Sequence, residues 1–128
     1  MSDLFAEILA WVRFAKAGSH PFYGNQYTDG GVAANKALEA ARIANEAAHS
    51  GDTEKAFRQH IIAAHAHRDA SDASTNKGDK VMHRIAAEAH DYAASAVGSG
   101  KRLAVIQSIS DHALKQSISA SPKVLASA

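Results

Sequence analysis

Histidine is the residue type with the widest chemical reach in this chain, which carries eight among its 128 residues. Imidazole binds metals, relays protons and changes charge near neutral pH, so spacing decides which of these the chain could do. His60 and His67 are seven apart, as are His83 and His90. Seven residues span about 10 Å along a helix, too far for one ion to bridge within it. No His-x-x-x-His pair occurs. Glu46-x-x-His49 has the form of half a di-iron carboxylate site, but the second Glu-x-x-His copy that such a site needs is absent. The expectation is no metal and no cofactor, with the histidines in helix seams and on the surface. A mixed site of His60, His67, His83 and His90 across two helices stays open in geometry alone.

Other catalytic groupings are no better supplied. There is no cysteine, which removes disulfides, thiolate metal sites and a thiol nucleophile. No serine sits in a Gly-x-Ser-x-Gly turn, and positions at helix ends or in the C-terminal tail account for the serines through capping. Asp69 and Asp72 are three apart, a spacing equally at home on a solvated helix face. The glycine-rich block at 18–31 lacks the Gly-Lys-Ser/Thr ending of a phosphate loop. A non-enzymatic role is the expectation. Lys and Arg number 14 against 13 Asp and Glu, a net charge of +1 with the signs interleaved, so nucleic acid is not an expected partner. The apolar run at 4–15 carries Glu7 and Arg13. It is too short and too charged to span a bilayer or to act as a secretory signal, and a non-secreted protein without a membrane partner is expected.

The elements that must position these residues read as helices. Hydrophobic residues make up 46% of the chain, but 29 of the residues are alanine, so close approach of helix backbones has to replace bulky core side chains. Phe5, Ile8, Leu9 and Val12 recur at helical steps and predict a short amphipathic helix over 1–17. Glycines, Pro21 and Asn25 predict an extended arm at 18–31. A helix capped by Thr28 or Asp29 then runs to about residue 49 and ends at Gly51; Asp52 caps a second, at 53–74. The stretch 75–79 supplies a stop and a new cap for a third, to about 97. A fourth, at 101–119, carries Leu103, Ile106, Ile109 and Ala113 and is broken by Ser121-Pro122, after which 121–128 reads as a loose tail. No alternating β-branched run appears, so the class is all-α.

Three seams stand out at steps of three and four: Ala33, Ala37, Ala41, Ala44, Ala48; then Ala56, His60, Ala63, His67, Ala70, Ser74; then His83, Ala87, His90, Ala94, Val97. Small and medium side chains alternate along them, a pattern by which antiparallel helices pack closely. The expected architecture is a small antiparallel bundle of three to four long Ala-rich helices over 32–120. Charging the seam histidines below about pH 6 is expected to loosen it, because imidazolium is disfavoured in an apolar seam.

One segment is not explained by bundle packing. His20, Pro21, Phe22, Tyr23, Gly24, Asn25, Gln26, Tyr27 and Thr28 place three rings with polar neighbours in a glycine-punctuated strip, suited to anchoring in a pocket of the bundle or of a partner. With Lys16 upstream, the run at 18–31 resembles a Lys-x-Gly-x-His-x-Phe-x-Gly-Asn-Gln-Tyr/Trp-Thr-x-Gly segment of tailed-bacteriophage proteins, head-morphogenesis and other virion-associated proteins among them. The match is specific over 16–31 and only compositional over about 32–97, where AAHAH and AAEAH resemble alanine-rich helical regions of such proteins. What the resemblance implies is a docking role for His20, Phe22, Gly24, Asn25, Gln26, Tyr27 and Thr28, and no catalytic residue is carried over.

The resulting expectation is a non-enzymatic phage protein that works by protein–protein association. It would be a virion or head-assembly component whose partner is a virion subunit, with Phe5, Ile8, Leu9 and Val12 as a further helix-docking face. The alternative is a phage-encoded inhibitor of a bacterial defence system, binding a host protein or signalling nucleotide. The expected location is the virion or the infected-cell cytoplasm, and oligomerisation stays open.

Overall fold

The computed structural model describes residues 31–121, and these form four helices and no strand. Helix α1 spans Gly31–His49, α2 Thr53–Ala73, α3 Lys77–Gly98 and α4 Leu103–Ala120. Each packs on its neighbour in the chain, and α4 closes the ring against α1. Short connections make consecutive helices antiparallel, giving an up-down-up-down four-helix bundle.

Local chemistry sets the corners. Gly51 (φ 83°) and Gly100 (φ 72°) take the left-handed conformation that costs glycine least. Both corners make the same pair of bonds beyond the helix end: Gly51 N–H donates to the Ala48 carbonyl and Asp52 N–H to that of Ala47, while Gly100 N–H donates to Val97 and Lys101 N–H to Ala96. That is the Schellman pattern, which satisfies carbonyls the helix leaves unpaired. The Asp52 carboxylate accepts from Lys55 N–H at 3.1 Å, and the Asn76 side-chain oxygen from Asp79 N–H at 3.1 Å, capping α2 and α3.

Two boundaries differ from expectation. Gly31, the last residue expected in the arm, is the first of α1. Lys101 and Arg102 lie outside α4, because the Lys101 amide is spent on the preceding corner; the helix starts at Leu103 with no side-chain cap.

The core is built almost wholly from alanine. Among the described residues, every buried hydrophobic residue is alanine except Leu38 and Ile106, and all five alanines of the α1 seam are among them. The α2 seam is buried from Ala56 to Ser74, and on α3 His83, Ala87, His90 and Ala94 are buried while Val97 is half-buried. Ala41 packs against Ala63, Ala48 against Ala56, and Ala33 and Ala34 against Ala70, which fixes the α1–α2 register. Alanine leaves backbones free to approach, but it fills little volume. The largest fully buried side chains are His60, His67 and His90.

Helix α4 corrects the sequence reading. Leu103 is exposed and Ile109 only half-buried; the inward face is Ile106, Ser110, Ala113, Ser117 and Ala120. Ser110 and Ser117 are not end-capping serines but fully buried core residues within α4. Their hydroxyls are drawn inward by the imidazoles opposite.

Candidate functional site

The four seam histidines meet at the bundle centre, where an antiparallel α2–α3 pair brings together positions symmetric about Thr75. His60 Nδ1 lies 2.7 Å from His90 Nδ1, and His67 Nδ1 3.0 Å from His83 Nδ1. Helix α4 adds the hydroxyls: Ser110 Oγ is 2.9 Å from His60 Nε2, and Ser117 Oγ stands between His67 Nε2 at 2.7 Å and His90 Nε2 at 2.6 Å. The rings lie close, with centroids 5.0 Å apart for His60–His90, 5.2 Å for His67–His83 and 5.7 Å for the stacked His67–His90. The result is one unbroken ladder, in order Ser110, His60, His90, Ser117, His67, His83.

A seven-residue repeat builds it. His60/His67, His83/His90 and Ser110/Ser117 each step by two turns, and α1 contributes the fully buried Ala37 and Ala44 at the same interval. Two similar layers of His, His and Ser are thus stacked along the bundle axis, with the His90–Ser117 bond joining them.

Proton counting limits what the ladder can hold. A neutral imidazole has one N–H and one acceptor nitrogen, and a hydroxyl has one proton. Asn45 Nδ2 donates to Ser110 Oγ at 3.3 Å, and the hydroxyl can still either donate to His60 Nε2 or accept from it, because it has a second lone pair. If Ser110 donates, His60 carries its proton on Nδ1 and donates to His90, which carries it on Nε2 and donates to Ser117. If Ser110 accepts, the row runs the other way, from His83 Nδ1 through His67, Ser117 and His90 to His60. In either sense each of the five contacts holds one of the six ring and hydroxyl hydrogens.

Electrostatics keeps the rings neutral. Burial pushes His60 down to about 4. Burial, then repulsion from His83, takes His67 to about 3. Burial, then His60 and His67, takes His90 to about 2. Burial also lowers His83, against which the Asp79 carboxylate works. At its outer end the ladder reaches solvent: Asn45 also donates to Asp111 Oδ1 at 2.8 Å, which is 2.7 Å from His49 Nε2. These hydrogen bonds hold the Asp111 carboxyl below its usual range.

Among the described residues, no three His, Cys, Asp or Glu side chains are grouped to hold a metal ion. Glu46 and His49 do not act together; His49 is taken by Asp111. Asp69 is buried whereas Asp72 is exposed, lining a cleft of about 310 Å³ with Arg68, Arg84 and Glu88. Arg68 pairs with Asp91 across the α2–α3 face. On the outer side of α3, Val81 (53% exposed), Ile85 (42%) and Tyr92 (62%) share one helical face, opposite His83 and His90.

The expected docking residues His20, Phe22, Tyr23, Gly24, Asn25, Gln26, Tyr27 and Thr28, and the face Phe5, Ile8, Leu9 and Val12, lie outside the described residues. Ser110 and Ser117 are the site residues that reading the sequence missed, although their spacing repeats that of the histidines. No helix among the described residues is long and apolar enough to cross a membrane. The chain matches no protein-family model, no curated protein and no solved structure.

Proposed function

We propose that this protein works by binding another protein, as a non-enzymatic virion or head-assembly component of a tailed phage whose partner is a virion subunit. The observation that carries the reading is the line of Val81, Ile85 and Tyr92 facing solvent on α3, a surface that burial against a partner would stabilise. The interior supports it from the other side. The buried imidazoles and the Ser110 and Ser117 hydroxyls are committed to one another, which suits a body that presents a surface without rearranging. The likeness of the segment at 16–31 to virion-associated proteins supports the choice of partner, with His20, Phe22, Tyr27 and their neighbours as a second contact.

The deciding experiment is a quantitative peptide count in purified particles of the encoding phage. Many copies per particle are expected, with Tyr92→Glu lowering incorporation at least tenfold while the circular dichroism of the isolated protein is unchanged. Absence from particles overturns the reading. Absence combined with rescue of infection in a defended host moves the protein to the other class, a defence inhibitor acting on a host protein or signalling nucleotide.

A further inference from the structure

We propose that the histidine–serine ladder is an acid latch: it holds the four helices closed while all four imidazoles are neutral and releases them together when protons enter. The inference stands apart from the association reading and does not depend on it.

The donor count is the first reason. Each of the five ring and hydroxyl contacts already holds one of the six ring and hydroxyl hydrogens. A proton added to His60, His67 or His90, whose ring nitrogens are both engaged in the row, therefore meets a hydrogen already in place or turns a hydroxyl away from its acceptor. Two N–H groups face to face at 2.7 or 3.0 Å repel, so protonation pushes α2 from α3 at both layers.

The surroundings offer little compensation. Helix α1 presents Ala37, Ala41 and Ala44 to the core and Asn45 at the ladder's end, with His49 and Asp111 beyond it at the surface. Helix α4 presents hydroxyls. On α3, Asp79 favours charge on His83. On α2, Asp69 is buried two residues after His67 and is engaged in an interaction of its own. Among the described residues, no carboxylate favours charge on His60, His67 or His90. With ring centroids 5.0 to 5.7 Å apart, a second charge is also repelled by the first.

The direction in pH follows. The folded values of about 4, 3 and 2 for His60, His67 and His90 lie below the 6.5 of an unperturbed histidine, so the unfolded chain binds more protons. Stabilisation by these rings is complete above about pH 6.5 and is lost as pH falls toward the folded values. Each ring lowers the folding equilibrium constant about tenfold per pH unit in that window, so these three lower it about a thousandfold by pH 5.5. His83 acts in the same direction. Release is then steep, because all the rings belong to one row.

The test uses the full chain in urea unfolding at a series of pH values from 8 to 4.5. The expected slope of the logarithm of the folding constant against pH approaches three to four protons per chain below pH 6.5. His60→Gln combined with His90→Gln lowers it by about two. Should the double variant fail to fold, nitrogen-15 histidine spectra of the wild type decide. A single proton on each ring of His60, His67 and His90, with no midpoint above pH 5 for these three while folded, is expected. A slope of one or less, or folded-state midpoints near 6.5, overturns the latch.

Discussion

Ser117 is the residue on which the two layers of the core depend, because one hydroxyl serves two imidazoles on different helices. Ser117→Ala orphans a buried nitrogen on each. At about 1–3 kcal/mol for each unsatisfied buried group, the loss should be roughly 2–5 kcal/mol in denaturant unfolding. Ser110 serves one imidazole and lies nearer the solvent-facing Asn45, so Ser110→Ala should cost clearly less. Equal losses would mean that Ser117 does not bridge. The histidines were legible in the sequence because their spacing and alanine neighbours mark a seam. The serines were not, since serine reads as a cap or a surface residue in any scale based on single residues. Only the shared seven-residue interval of Ser110/Ser117, His60/His67 and His83/His90 carried the signal.

At the scale of the helix, the chain's punctuation was well written. Gly51 and Gly100 have open space where a Cβ would sit, so Gly51→Ala should cost only the backbone strain of the left-handed conformation, roughly 1–2 kcal/mol in thermal unfolding. Asp52→Ala removes the α2 cap and should cost about 1 kcal/mol. A Gly51 variant as stable as the wild type would show that the corner can be rebuilt. The seams behave differently, because their alanines are held against neighbouring helices and have no room to grow. Ala41→Leu, facing Ala63, should destabilise by about 1–3 kcal/mol through overpacking, despite the added apolar surface. The face of α4 was misread for a related reason. Its isoleucines suggested an apolar stripe through Leu103, Ile106 and Ile109, yet the polar chemistry opposite it turned Ser110 and Ser117 inward.

At the scale of the molecule, the proposed association role assigns recognition to the outer face of the bundle and to the segment preceding α1. Phe22→Ala and Tyr27→Ala distinguish two roles for that segment. A fall in melting temperature of the isolated protein means that the rings pack on the bundle, while unchanged stability with lost incorporation into particles means that they contact the partner. The sequence by itself determined the helical class, the corners and the three seams, because periodicity, capping and glycine conformation depend on residues near one another in the chain. Only the tertiary structure decided which seams face each other, that α4 brings hydroxyls to α2 and α3, and that the four imidazoles form one row. Those are properties of residues up to 50 positions apart, such as His60 and Ser110. Alanine seams fit one another in many registers, and the polar contacts that choose among them come into being only when the helices pack.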